Sequence, residues 1–295
     1  MRLNQWHKNG FIFIPLLFAG DLFHPKIIIK CIVAFIAFCL ASSSVYIFND
    51  LSDVEFDKKH PEKKNRPLAS GKISTEIAVF LVIVLSIIAL LIGTFCFYKV
   101  AWVIAFYIIL NLFYSLYLKN IVILDIFCIA LGFILRVVAG TFISTVPPSH
   151  WIVIMTLALA LLLGAGKRRS DLLNLEHSVK SHRKVLSLYS LTTLDQMIVI
   201  LAAMIIITFS LYTVSDYAIK RFNTDALVYT VPFVIYGLFR YIYIINDKGG
   251  TADPAKIILS DLQMFICVVF WLAACVMIIY GIVAKILPTG NPYKI

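Results

Sequence analysis

Charge is scarce in this sequence. Asp, Glu, Lys and Arg make up 14% of its 295 residues, against about 25% in an ordinary soluble domain. That shortage excludes a domain whose main solvent is water. The six cysteines, Cys31, Cys39, Cys96, Cys128, Cys267 and Cys275, all fall inside apolar stretches. None has a neighbour at metal-ligand spacing, so they read as small buried hydrophobes. The six histidines are scattered and form no ligand set. No nucleic-acid-binding module accompanies the formal net charge of +10, so the basic balance points to anionic lipid or phosphorylated substrates instead.

What the chain has in abundance is apolar sequence, 61% by composition, in runs of roughly 18 to 24 residues, the length that crosses a hydrocarbon core about 30 Å thick as a helix. Backbone groups in such runs must be satisfied within the segment, which selects helices. The runs predict one all-α transmembrane domain over residues 1–295, a bundle of about nine helices: Phe11–Ala19, Ile27–Phe48, Ile77–Phe97, Ala101–Leu118, Ile121–Ile143, Trp151–Ala165, Leu194–Val214, Ala226–Ile245 and Leu262–Ile286. The first is short and interrupted by Pro15; no small-residue cleavage site follows, so it reads as a span and not a signal peptide.

Counting crossings puts the N-terminus and the loops after the second, fourth, sixth and eighth spans on one face. Most of the Lys and Arg lie there; the other face carries Lys26, Lys30, Lys99, Lys220, Arg221, Lys285 and Lys294. The positive-inside rule assigns the richer face to the cytoplasm of a bacterial-type cell (inner) membrane.

Chemistry begins where the second span ends, in NDLSDVEFDKKHPEKKNRPLASG, Asn49 to Gly71. Asp50, Asp53 and Asp57 recur at i, i+3 and i+7, so a helix continuing past Asn49 carries all three carboxylates on one face. Three like charges on one stripe repel unless a cation intervenes. Oxygen-only ligands suit Mg²⁺, which binds through one or two carboxylates plus substrate phosphates. Lys58, Lys63, Lys64 and Arg66 follow closely, and Arg in particular matches two phosphate oxygens at once. Acid and base together imply a polyphosphate ligand.

A second group, GKRRSDLLNLE, follows the sixth span. Here cations lead: Lys167 and Arg168, then Asp171, with Arg183 and Tyr189 further on. Lys8 precedes the first span, Tyr114 and Lys119 end the fourth, and Asp125 begins the fifth, all on the same face by crossing parity. An ionisable group in an apolar run is costly and is a functional candidate by default, which applies to Asp125 and to the deeper Arg136. Arg136 reads either as half of a buried ion pair or as a ligand of a lipid phosphate.

The NDxxDxxxD pattern at Asn49 to Asp57 resembles the UbiA superfamily of membrane prenyltransferases, whose usual members bind a polyprenyl diphosphate through Mg²⁺ on two aspartate-rich motifs and prenylate an aromatic acceptor. The second motif departs from them, with Lys167, Arg168 and Asp171 in place of the aspartate series. RLNQWHKN, PLLFAG, NRPLASG, YSLYLKN with Asp125, GFILRVVAG, GKRRSDL, LDQM and FRYIYI, in that order over nearly the whole chain, look like the decaprenyl-phosphate phosphoribosyltransferase branch. Asp171 stands where that branch more often has Glu. The resemblance implies transfer of a 5-phosphoribosyl group from 5-phosphoribosyl diphosphate to a polyprenyl phosphate. On this reading Asp50, Asp53, Asp57 and Lys167 are catalytic, the three aspartates hold Mg²⁺, and Lys8, Asn49, Lys58, Arg66, Tyr114, Lys119, Asp125, Arg136, Arg168, Asp171, Arg183 and Tyr189 contact substrate. Two other readings stay open at this stage: prenyl transfer to an aromatic or other small acceptor, and transport of a phosphorylated lipid or anion, against which the charges stand at helix ends and no inverted repeat is visible. The chain gives no reading of polyprenyl length or of whether it forms a homo-oligomer.

Overall fold

A computed structural model describes residues 3–59, 63–144, 149–176, 186, 188–247, 257 and 260–281. Arg183 and the last residues of the ninth expected span lie outside them. Among the described residues, eight helices are long and apolar enough to cross a membrane. They are α2 (Pro25–Ser52), α4 (Thr75–Cys96), α5 (Tyr98–Leu116), α6 (Leu124–Ile143), α7 (His150–Glu176), α8 (Leu191–Thr213), α10 (Val231–Asp247, extended by the 3-10 turn Ala226–Thr230) and α11 (Leu262–Ile279). Short helices α3 (Val54–Lys59) and α9 (Asp216–Phe222) lie between them.

The first expected span takes a different form. Leu3–Phe13 winds as a 3-10 helix and only Ile14–Ala19, α1, is α-helical, with Pro15 in its first turn where a missing N–H costs nothing. At about 2.0 Å per residue the tighter coil carries this short stretch almost as far as a full span. It packs deep in the bundle: Ile12 and Leu16 are fully buried. Gly140 of α6 makes this possible, because a Cβ there would stand 2.1 Å from the Ile12 carbonyl oxygen. Lys8 and Asn9, expected ahead of the first span, therefore lie within it.

Helix starts follow local chemistry. Ser74, Ser190 and Asp261 accept the N–H of Ile77, Thr193 and Met264 at the heads of α4, α8 and α11. Gly20 closes α1 in the left-handed conformation. Two cores result. One joins the N-terminal segment with α2, α4, α5 and the far half of α6 through Ala34, Phe38, Ala41, Ile104 and Ala139. The other joins the near half of α6 with α7, α8, α10 and α11 through Ile126, Ala158, Leu194, Leu238 and Met264. Helix α6 serves both and is the most enclosed span, whereas α4 and α11 bury little and turn Phe80, Phe95 and Phe270 outward. Apolar side chains at that density on the outer surface suit lipid as solvent, so the chain is a multi-pass membrane protein.

The bundle has two polar ends. At one, Arg221 of α9 donates to the Ala19 carbonyl (2.6 Å) and the Leu22 N–H donates to the Tyr280 hydroxyl (2.8 Å). At the other lie the ends of α2, α5 and α7 and the start of α6.

Candidate functional site

The end of α2 reads as expected from its spacing. Although α2 is interrupted at Asp53, the Asp53 N–H still bonds the Asn49 carbonyl (3.0 Å) and the Asp57 N–H the Asp53 carbonyl (2.8 Å), so the helical turn runs on into α3. Asp50 and Asp57 share one partner: Nη1 of Arg66 donates to both, at 3.0 and 2.6 Å. Both oxygens of Asp53 are engaged, Oδ1 by Lys119 Nζ at 2.5 Å and Oδ2 by Asn49 Nδ2 at 3.3 Å. Lys119 also reaches Ser52 Oγ (3.1 Å). The cation that the acidic stripe needs is thus supplied by Arg66 and Lys119.

The second group is not a loop after the sixth span. Helix α7 runs on from Ala165 to Glu176, so Lys167, Arg168 and Asp171 are helical, and Arg168 is buried. Its guanidinium is shared three ways: Nε donates to Asp125 Oδ2 (2.6 Å), Nη1 to Asp171 Oδ2 (3.2 Å) and Nη2 to the Tyr114 hydroxyl (3.4 Å). The Tyr189 hydroxyl donates to the other Asp125 oxygen (2.7 Å) and accepts the Ile123 N–H (2.7 Å). Burial, and then the bond to Asp125, push the Tyr189 phenol above its ordinary value. Ile123 holds φ 72, ψ −46 at the head of α6, a conformation that is strained for a β-branched residue and persists only where its surroundings impose it. This turn delays α6 from the expected Ile121 to Leu124 and aims Asp125 inward.

One short stretch of α5 joins the two groups. Tyr114 meets Arg168, its neighbour Ser115 donates to Asn49 Oδ1 (3.3 Å), and Lys119 in the following turn holds Asp53. The acidic end of α2 and the basic end of α7 therefore meet the same stretch of chain, on either side of one candidate site.

Two expected site residues, Lys58 and Arg136, are not brought to it. Lys58 pairs with Glu55 (2.7 Å) on the exposed side of α3. Arg183 is outside the described residues. Arg136 lies three turns deeper in α6 than Asp125 and meets no carboxylate among the described residues, so there neither half of an ion pair nor a place beside the other cations describes it. It donates to Asn9 Oδ1 (2.7 Å), the Gly132 carbonyl (2.6 Å) and the Tyr107 hydroxyl (3.0 Å), and its guanidinium carbon sits 4.7 Å from the Tyr107 ring centre. Lys8 adjoins Asn9 in the N-terminal segment, half-buried and engaged by neighbours; Lys167 is likewise half-buried and engaged.

Sequence reasoning missed Ser52 and Ser115, small hydroxyls that carry no signal until a partner is known. It also missed the role of Arg169, which donates to Asp195 Oδ1 (2.5 Å), the Ile245 carbonyl (2.6 Å) and Asn246 Oδ1 (2.9 Å), tying α7 to α8 and to the last turn of α10. Tyr107 was missed as well, although one signal could have drawn notice to it: it precedes Tyr114 by seven residues and shares its helix face.

Among the described residues, no three His, Cys, Asp or Glu side chains close on one point as a cage for a metal ion. The donor set is still suited to a hard cation that takes part of its shell from a ligand: it is all oxygen, and Asp50 and Asp57 approach closely enough to share one nitrogen.

The model of the UbiA prenyltransferase family matches residues 11–269. The chain is 31% identical over 289 residues to decaprenyl-phosphate phosphoribosyltransferase of Mycolicibacterium smegmatis, covering 95% of this chain and 91% of the relative. To the protein of the same name from Corynebacterium glutamicum it is 31% identical over 290 residues, 95% of this chain and 85% of the other. In fold it is similar to a UbiA homologue from Archaeoglobus fulgidus bound to GPP and Mg²⁺, with TM-score 0.68, 18% identity, and 94% and 99% of the two chains covered.

Proposed function

The chain belongs to the UbiA prenyltransferase family, and from that premise we propose that it transfers a 5-phosphoribosyl group from 5-phosphoribosyl diphosphate to a polyprenyl phosphate, releasing diphosphate. One observation carries the reading: the last turn of α5, through Tyr114 and Ser115, and the 3-10 turn after it, through Lys119, tie an aspartate-bearing helix end to an arginine-bearing one. A ligand pair with two phosphate groups needs both. The relatives named as decaprenyl-phosphate phosphoribosyltransferases support it, because they match over most of both chains and not over a fragment.

Asp50, Asp53 and Asp57 are the residues that would hold Mg²⁺, which supplies positive charge to the leaving diphosphate. Arg66 and Lys119 stand beside them and neutralise phosphate charge as the bond from the anomeric carbon to the diphosphate oxygen breaks. Arg168 and Lys167 face the other phosphate. The lipid phosphate oxygen forms the new bond at the anomeric carbon from the opposite side. It is already ionised near neutral pH, so no side chain has to remove a proton. Asp125, Tyr114 and Tyr189 hold Arg168 in place and have little bonding capacity left for substrate. The active face is cytoplasmic in a bacterial-type cell membrane by the distribution of basic residues, and the acceptor arrives from the bilayer.

The test is an assay of purified protein in detergent with Mg²⁺, decaprenyl phosphate and ribose-labelled 5-phosphoribosyl diphosphate. Label is expected in the lipid phase, and Asp53→Asn and Lys167→Ala are expected to lose it. Label that stays in the aqueous phase across several lipid lengths, with prenylation of an aromatic acceptor instead, would overturn the assignment.

A further inference from the structure

The carboxylates proposed to hold the metal each carry a cationic side chain of the protein's own. Nη1 of Arg66 bridges Asp50 and Asp57, and Lys119 takes Asp53 at 2.5 Å with a side chain only 10% exposed. One oxygen of each aspartate is thereby taken, and a divalent ion drawing on these carboxylates competes with the two cations. A dication among them would meet a guanidinium and an ammonium at near contact, with little water to screen the repulsion. Arg66 is also only half used. Its bonds to the carboxylates come from Nη1 alone, and no other bond of Nε or Nη2 is recorded among the described residues. One edge of the fork thus keeps the geometry that grips two phosphate oxygens.

We propose that Arg66 and Lys119 are place-holding counterions that make metal binding depend on diphosphate. A divalent ion alone has to displace both cations from the aspartates. When diphosphate arrives with the ion, Arg66 and Lys119 pass from carboxylate to phosphate oxygens, and the aspartates turn to the metal. Two groups of like charge that would otherwise exclude the ion then become ligands of the anion it carries. The coupling keeps the ion from settling on the aspartates without its donor. It rests on the reading of Asp50, Asp53 and Asp57 as the metal-bearing residues, but not on which group is transferred.

The experiment measures Mn²⁺ binding to the full-length protein in detergent by the loss of the free-ion paramagnetic signal, with no substrate present. Wild type is compared with Arg66→Met and Lys119→Gln. Both variants are expected to bind Mn²⁺ more tightly, by about fivefold or more, the lower end of ordinary coupling between two sites. Labelled inorganic diphosphate, at fixed saturating free Mn²⁺, is expected to bind them more weakly than wild type. Thermal unfolding identifies a variant that fails to fold, and the second variant then carries the test. Unchanged or weaker Mn²⁺ binding in the folded variants overturns the proposal, as does a lack of measurable Mn²⁺ on all three proteins. A merely structural role for Arg66 would weaken both ligands together, which also overturns it. The probe contains neither ribose nor prenyl chain, so tighter Mn²⁺ binding alongside failed ribosyl transfer would sink the functional reading alone.

Discussion

At the scale of single residues, the site is a set of charges held partly by close neighbours, as Arg66 holds Asp50 and Asp57, and partly by distant elements, as Arg168 holds Asp125. Tyr189 shows how much rests on one hydroxyl, since it restrains Asp125 and the strained Ile123 at once. Tyr189→Phe is expected to cost about 1–3 kcal/mol, the usual penalty for leaving buried partners unmet, and to lower transfer activity by loosening Arg168; unfolding in detergent and the transfer assay measure the two effects. The phenol is raised above its ordinary value, so its contribution is complete below the unfolded value of about 10 and is lost only as pH rises through the still higher folded value. Stability of the wild type is therefore expected to show no loss from this group below about pH 10. Arg136 is a second test. A buried cation with three neutral acceptors on the N-terminal segment, α5 and α6 is a fastening, so Arg136→Met is expected to destabilise by about 1–3 kcal/mol while leaving the apparent KM for the diphosphate donor unchanged. Arg136 stood out in the sequence as an ionisable residue in an apolar run, but its role was not legible there, because Asn9 and Tyr107, which define it, come from elements far away in the chain.

At the scale of elements, close approach decides more than length. The N-terminal segment docks where Gly140 leaves room for the Ile12 carbonyl, and backbone cannot step aside as a side chain can. Gly140→Ala is expected to lower stability by about 1–3 kcal/mol through overpacking, read by thermal unfolding, and a transition as high as that of wild type would contradict this packing. The apolar runs predicted the spans within a few residues for α2, α4, α5 and α8, because hydropathy reports the solvent directly. It failed at both ends of the site for a physical reason. Lys167, Arg168 and Asp171 look like the end of a helix, yet Arg168 pairs with Asp125 and Asp171, and the adjoining Arg169 with Asp195, which lets α7 continue through them to Glu176. The turn at Ile123 left no mark, since nothing in a β-branched residue announces a positive φ. The 3-10 winding of Leu3–Phe13 is equally silent in sequence, where only Pro15 hinted at an irregular first span.

At the scale of the whole molecule, the two polar ends must face different compartments. All six cysteines are buried, so one introduced thiol reports cleanly. Ser70→Cys, in the exposed turn after Arg66, is expected to react with an impermeant thiol reagent in inside-out vesicles and to be protected in right-side-out ones; the reverse pattern would invert the orientation. The aspartate series and the basic run were both readable in the sequence as phosphate-binding chemistry. Their union was not, because it is made by Tyr114 and Ser115 at the end of a third helix and by Lys119 in the turn after it. That union makes the central claim specific: one site binds a sugar diphosphate and a lipid phosphate together and exchanges a ribosyl group between them. The most direct measurement follows two labels in the donor, one on the 5-phosphate and one in the diphosphate. The account predicts that the 5-phosphate label moves into the lipid phase while the diphosphate label stays in water as inorganic diphosphate. Both labels entering the lipid, or both remaining in water while the lipid is consumed, would contradict it.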